Sequence, residues 1–266
     1  MDFEISLPKE AYDIAPIFIT APVSHSGTAL LQRSLARSSN AICYGDNLFE
    51  EILSLLDWSI SLIDEQKKRK DQADRELKSA LDANPTVWMP DLAPPFNHHM
   101  SAIFSAIYNI PHAAALYAKE CNKPVWGIIR SSVPAPLMTD LLSMFPNSKA
   151  IFVHRRPTDA AVEMLADNSL GSVKEMCNTW NHAMRGYLEL KSDRILKVAF
   201  EEISAQPAEF ATRLSEFCGV QGYPVDDRNS FKEAQTVRNS QLGDADLALI
   251  QAECVDMMSV YYPELG

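Results

Sequence analysis

The chain has 266 residues, 47% of them hydrophobic, which is ample for one large α/β domain with a full core. Its formal net charge of −11, from 24 basic and 35 acidic side chains, disfavours a nucleic-acid polymer as a partner, because phosphate contacts need an excess of Lys and Arg. Five scattered cysteines without a C-x-x-C pair argue against a disulfide framework and against a zinc site.

The first predicted strand, Ile17–Thr20, leads through a small polar turn into a helix that begins after Gly27. Strand, tight loop and helix is the geometry in which backbone N–H groups and a helix N-terminus converge on an anion. Gly27 allows the backbone to approach a ligand closely, and the loop hydroxyls can donate to phosphoryl or sulfuryl oxygens. A Walker loop has a lysine where Thr28 stands, so an ordinary ATP- or GTP-hydrolysing loop is not indicated. The alternative is a capped helix start that binds no ligand.

Strands and helices alternate along the rest of the chain. After 17–20, further predicted strands are 41–44, 124–130, 149–155 and 194–200. Beyond the helix after Gly27, predicted helices are 48–81, 99–121, one through Leu141 to Phe145, 207–218 and 244–262, with Pro111 as a candidate interruption and a proline-rich loop at 84–95. This order predicts a three-layer α/β fold, a mostly parallel central sheet with helices on both faces. Ligands then gather at the carboxyl ends of the strands.

Four polar segments follow predicted strands and are expected at that edge. They are the loop 24–28, the turn at Gly45 and Asp46, the segment 130–132 and the segment 155–159. Arginines begin the last two segments, and two cationic strand ends facing a phosphate-type loop suit an anion with charge at more than one place. The alternative for each arginine is a salt bridge to a nearby helix.

Several segments together resemble one family. HSGTALL at 25–31 is similar to the PRSGTTLL-like loop of sulfotransferases that use 3′-phosphoadenosine 5′-phosphosulfate (PAPS), and WGIIR at 126–130 is similar to their WGxK segment. FPNSKAIFVHRRPTDAAVE at 145–163 resembles their FPxAKxIxLVRDPRDVAVS stretch. Segments 198–207 and 237–254 resemble two further motifs of the same family, in the same order. The resemblance implies a P-loop-like fold and PAPS as the donor, with adenosine 3′,5′-bisphosphate as the product.

The resemblance also implies roles for individual residues. The 5′-phosphosulfate is held by the loop residues Ser24, His25, Ser26, Gly27, Thr28 and Ala29. Arg155 holds the 3′-phosphate, Arg238 closes over the nucleotide, and Arg130 stabilises the transferring sulfuryl group. Asp46 is the general base that takes the acceptor proton, with Asn47 competing for the same aligned position.

Two positions depart from the family pattern. His25 stands where the family has Arg or Lys, and a bound phosphosulfate raises the pKa of such a histidine by opposite-charge attraction. His25 then acts as the cation or as an acid for the leaving phosphate; the alternatives are a loop that no longer binds this donor or a merely capping histidine. Glu163 stands where the family offers a serine to the 3′-phosphate. Neutralisation by Arg155, Arg156 or Arg238 reconciles Glu163 with that donor, and a different donor is the alternative.

We therefore predict one domain over 1–266 with a helical acceptor-binding insert at about 48–121. The function is direct in-line transfer of a sulfuryl group to a hydroxyl or amine of a small-molecule acceptor, with His98 and His99 as substrate-pocket candidates and no metal. The chain has no signal-type N-terminus and no membrane-spanning run, so a cytoplasmic protein without membrane contact is expected, with a homodimer as the candidate assembly. Two alternatives stay open: the same scaffold with an altered donor or reaction, and a non-catalytic binding protein.

Overall fold

The computed structural model describes residues 10–83, 88–224 and 242–263. Its strands are β1 (Ile17–Thr20), β2 (Ala41–Tyr44), β3 (Val125–Ile129), β4 (Lys149–His154) and β5 (Ile195–Ala199). Its helices are α1 (Glu10–Asp13), α2 (Thr28–Arg37), α3 (Asp46–Leu81), α4 (Phe96–Glu120), α5 (Ala135–Met144), α6 (Pro157–Ala166), α7 (Val173–Glu189), α8 (Phe200–Ala205), α9 (Pro207–Cys218) and α10 (Asp244–Tyr261).

The five strands form one sheet in the order β2-β3-β1-β4-β5, and every neighbouring pair is parallel. The central strand β1 places Ile19 opposite Ile129 of β3 and Ile151 of β4. All carboxyl ends therefore lie at one edge of the sheet, where the chain leaves β1, β3 and β4 through polar segments. This confirms the predicted α/β class with a parallel sheet.

Alternation along the strands divides the core between the two faces of the sheet. Phe18 of β1 and Phe152 of β4 belong to a large cluster that also contains Trp126, Trp180 and Tyr187. The side chains next to them in sequence, among them Ile19 and Ile151, belong to a second cluster with residues of α2 and α9. Both faces are thus covered, which explains why the strands read as continuous apolar runs.

Helix α4 passes through Pro111 without ending, so the candidate interruption is wrong. Buried side chains lie on both sides of the proline, including Ile107 before it and Ala118 after it. Packing of this stripe maintains the helix despite the backbone hydrogen bond that a proline removes.

Helices α6 and α7 were missed by the sequence interpretation, although both carry signals. Pro157 occupies the first position of α6, where proline is favoured. In α7, Met176, Trp180, Ala183 and Tyr187 are buried at spacings of four, three and four residues, the pattern of an amphipathic helix.

Neither a membrane-spanning helix nor a metal-binding group of side chains is found among residues 10–83, 88–224 and 242–263. No helix in these ranges has both the length and the apolar content to cross a membrane. Nor do three His, Cys, Asp or Glu side chains in these ranges group closely enough to hold a metal ion.

Candidate active site

The turn between β1 and α2 has a backbone that favours glycine at one position. Gly27 has φ 109°, and a Cβ placed there would lie 2.5 Å from Cδ2 of Phe200, so no side chain fits without displacing that ring. His25 also lies in the left-handed region, at φ 60°. Gly27 caps α2 without a side-chain hydrogen bond, and the first turn of α2 has no acidic residue. The N–H groups of this helix start are therefore suited to an anion.

This turn forms one wall of a cleft of about 270 Å³, which we call the loop cleft. Its lining residues are Ser24, His25, Gly27, Thr28, Ala29, Leu30, Arg33, Ser131, Arg155, Glu163 and Phe200. Ser26, within the turn, is buried and does not line the cleft, and its hydroxyl has no hydrogen-bond partner among the described residues. The loop cleft thus brings the turn and the end of β4 together, as the sequence predicted.

Arg155, the residue after β4, is held in place from several sides. Its side chain is 6% exposed, and its guanidinium lies 4.4 Å from the centre of the Phe200 ring. Nη1 donates to the carbonyl of His25 at 2.9 Å and to Oε1 of Glu163 at 2.7 Å. The indole of Trp180 donates to the Arg155 carbonyl at 3.0 Å. Arg155 therefore joins the turn to helix α6.

Two carboxylates surround the imidazole of His25. Nε2 lies 2.6 Å from Oδ2 of Asp167, and Nδ1 lies 3.5 Å from Oε2 of Glu163. Hydrogen bonding to Glu163, helped by Asp167, raises the pKa of His25 against the lowering effect of partial burial. Burial alone would raise the pKa of Glu163, but His25 and Arg155 lower it on balance, so this carboxylate is ionised. The expected cationic histidine is thus favoured by the protein's own acids.

The other strand-end arginines are also paired with carboxylates. Arg156 forms ion pairs with Asp159 at 2.6 Å and with Glu201 at 3.4 Å. Arg130, after β3, pairs with Glu50 of α3 and lies over the ring of Phe49. The alternative of a salt bridge to a helix is therefore realised at Arg130, Arg155 and Arg156, and only Arg155 among them lines the loop cleft.

A second cavity, of about 730 Å³, lies between the start of α3 and the later part of α4, and we call it the helix cavity. Its lining residues are Tyr44, Gly45, Asp46, Asn47, Leu48, Glu51, Asn109, Ile110, Ala113 and Ala114. Asp46 begins α3 and is exposed. The helix cavity lies beyond the end of β2 and the loop cleft beyond the end of β1. Because β3 lies between these two strands, Arg130, directly after β3, lies between the two cavities.

Some predicted site residues lie elsewhere. His98 and His99, at the start of α4, line neither cavity, and Arg238 lies outside the described residues. Among the residues that sequence reasoning missed is Arg33 of α2, which lines the loop cleft, is exposed, and forms no ion pair with a described residue. It follows Ala29 by four residues, and that helical spacing is the signal that places it on the same face as the turn.

The model of the sulfotransferase family matches residues 16–224. The chain belongs to the sulfotransferase family. This sulfotransferase matches no curated protein sequence. The matched range begins just before β1 and ends after α9, so it contains the sheet, the loop cleft and the helix cavity.

Several solved sulfotransferase structures are similar to this sulfotransferase. The sulfotransferase domain of the Synechococcus PCC 7002 olefin synthase is 16% identical, with 97% of this chain and 98% of that one covered and a TM-score of 0.53. A sulfotransferase from Alicyclobacillus acidocaldarius is 14% identical, with 92% and 95% covered and a TM-score of 0.46. Mouse sulfotransferase SULT7A1, solved with PAP, is 14% identical, with 99% and 86% covered and a TM-score of 0.41.

Proposed function

We propose that this sulfotransferase moves a sulfuryl group from PAPS to a hydroxyl or amine of a small-molecule acceptor. The observation that carries the proposal is the loop cleft, in which a glycine-dependent turn, a helix start and a buried arginine face one space. Each of these features favours an anion, and a nucleotide phosphosulfate is anionic at more than one position. Family membership supports the reaction class.

The residues of the loop cleft fit the phosphosulfate end of the donor. The uncapped N–H groups of the first turn of α2 are donors suited to such a group, and the Ser26 hydroxyl, buried within the turn, has no partner among the described residues. We assign the 5′-phosphosulfate to Ser24 through Ala29, with Arg33 as an additional cation at the rim. The donor supplies the sulfuryl group, and the protein supplies orientation and positive charge.

The acceptor side of the reaction is assigned to the helix cavity. Its volume of about 730 Å³ and its mixed lining of apolar side chains and a few polar groups are typical of small-molecule sites. In this proposal the carboxylate of Asp46 takes the proton of the acceptor hydroxyl or amine. Arg130, at the boundary between the cavities, stabilises negative charge during transfer, and its release from Glu50 accompanies that role.

Further expectations from the sequence accompany this proposal. Helices α3 and α4 fill the interval between β2 and β3, and we assign them as the acceptor-binding insert of a single domain. His98 and His99 stay candidates for the acceptor pocket, and Arg238 for closure over the nucleotide. The cytoplasmic location and the homodimer stay predictions.

Calorimetric titration with adenosine 3′,5′-bisphosphate (PAP) tests the proposal. Saturable binding at one site per chain is expected, and its absence in the folded protein would contradict the assignment of the loop cleft. Transfer of radiolabelled sulfate from PAPS onto a panel of hydroxyl and amine compounds then identifies the acceptor class.

Asp46 is tested by separating binding from turnover. Asp46→Asn should leave nucleotide binding unchanged and abolish transfer, since an amide cannot take the proton. Asn47→Ala is the matched neighbour that lines the same cavity and should retain transfer. Unchanged turnover in Asp46→Asn would remove Asp46 from this role.

A further inference from the structure

The contact between Arg155 and Glu163 bears on which donor the protein prefers. Arg155 is the buried cation of the loop cleft, and Glu163, 17% exposed, approaches its Nη1 to 2.7 Å. The carboxylate is held in turn by His25, and the guanidinium rests on Phe200. Arg155 and Glu163, a cation and a carboxylate in direct contact, thus form one wall of the loop cleft beside the turn.

The charges around this wall nearly cancel. The two buried charges are the guanidinium of Arg155 and the carboxylate of Glu163, and the more exposed pair of a protonated His25 and Asp167 adds one charge of each sign. A phosphate monoester carries about −1.5 to −2 at neutral pH. A donor phosphate placed on Arg155 must therefore displace Glu163 or face its carboxylate at short range, and both reduce the affinity that the phosphate contributes.

The remaining cation of the loop cleft does not restore this affinity. Arg33 lies on α2 with the turn, next to the part of the cleft assigned to the 5′-phosphosulfate, and it is exposed. An exposed side chain contributes little to an ion pair, because water screens it. A second phosphate of the donor has no comparable buried, unneutralised cation among the described lining residues.

We propose that Glu163 occupies the place of the donor 3′-phosphate on Arg155, so that this sulfotransferase accepts, beside PAPS, a donor with a free 3′-hydroxyl, adenosine 5′-phosphosulfate. This rests on the proposed function. In that reaction the bond between sulfur and the 5′-phosphate oxygen breaks and leaves adenosine 5′-monophosphate (AMP). A bond from sulfur to the acceptor oxygen or nitrogen forms, and the acceptor proton goes to the carboxylate of Asp46.

Calorimetric titration of two product nucleotides, PAP and AMP, tests the proposal without turnover. Wild-type protein should bind the two with affinities within about tenfold of each other. Glu163→Ser and Glu163→Gln should each raise the affinity for PAP about tenfold or more and change the affinity for AMP less than about twofold. The reason is that PAP has a 3′-phosphate that would lie next to residue 163, whereas AMP has none. The glutamine variant keeps a hydrogen-bond acceptor for Arg155 if the serine variant folds poorly.

Glu65→Gln is the matched control, since it removes the same charge from an exposed ion pair on α3 and should leave both affinities unchanged. A wild-type preference for PAP above about a hundredfold, or a Glu163 variant that shifts both nucleotides equally or neither, overturns the inference while leaving the proposed function intact. Binding of neither nucleotide by any folded variant overturns both.

Discussion

The loop cleft and the helix cavity lie at the same edge of the sheet but are built differently. The ion pair of the loop cleft, Arg155 with Glu163, has side chains that are 6% and 17% exposed. The pair beside the helix cavity, Arg130 with Glu50, has side chains that are 31% and 51% exposed. The loop cleft is therefore fixed by buried contacts, and the helix cavity is bounded by groups that water reaches.

This difference indicates that the loop cleft is preformed and that the border of the helix cavity can rearrange. A buried charge that loses its partner is costly, so the geometry around Arg155 cannot change without a loss of stability. An exposed pair costs little to open, so Arg130 can leave Glu50 when charge develops nearby. In the proposed function, the rigid loop cleft would bind one constant donor, and the more adaptable helix cavity would bind acceptors of different shapes.

The largest expected effect compares the two arginines directly. Arg155→Ala should lower the free energy of unfolding by about 3–5 kcal/mol, because Glu163 stays buried without its main partner. Arg130→Ala should cost less than about 1 kcal/mol, because its pair is solvated. Urea denaturation of both variants measures the difference, and equal losses would contradict the contrast between the two regions.

A second comparison uses two glycines in the left-handed region. Gly219→Ala, at φ 75° with no neighbouring atom within 4 Å, should cost about 1 kcal/mol from backbone strain alone. Gly27→Ala should cost about 2–3 kcal/mol, because the new methyl also meets the Phe200 ring that supports Arg155. It should weaken PAP binding as well, and a Gly27→Ala protein with unchanged affinity would show that the turn does not hold the nucleotide.

The same contrast explains what the sequence could predict. The turn at Gly27 and the arginine after β4 are local signals, and the parallel sheet alone brings them to one edge. Glu163 turns back to Arg155 because α6 starts at Pro157 and carries it nearly two turns further. With α6 missed, the sequence left Arg155, Arg156 and Arg238 as alternative partners of Glu163.

The helix cavity was less accessible to sequence reasoning. Its shape depends on how α3, 36 residues long, packs against α4, and helical periodicity does not determine that packing. Asp46 was found because it follows a strand, whereas Asn109 of α4 enters the cavity only through the tertiary fold. Arg130 was expected beside the turn, but its partner on α3 is likewise a tertiary contact.

The pH dependence of stability tests how well the region around the loop cleft is buried. There β4 ends in His154, which is buried. Burial, together with the charge of Lys197, lowers the pKa of His154 to about 3. The unfolded chain takes up a proton below pH 6.5 and the native protein does not, so stability falls as the pH drops through this window. The expected slope from this group is about 1.4 kcal/mol per pH unit. His154→Asn should remove that part of the slope in denaturation between pH 6.5 and 5, and an unchanged slope would mean that His154 is protonated in the native state.

His25 should show a smaller effect of the opposite sign. Its pKa is raised above 6.5 by Glu163 and Asp167, with Arg155 as the facing cation, so the protonated ring stabilises the native state. This stabilisation is complete below pH 6.5 and is lost as the pH rises through the raised pKa. Because the ring is partly exposed, we expect less than about 1 kcal/mol. His25→Asn keeps a residue that tolerates the left-handed backbone and removes the charge, so it should flatten the stability profile between pH 6.5 and 8.5. If the stability of the wild-type protein instead rises with pH over this range, the ring of His25 is neutral in the native state. The carboxylates around it would then repel the donor that the loop cleft is proposed to bind.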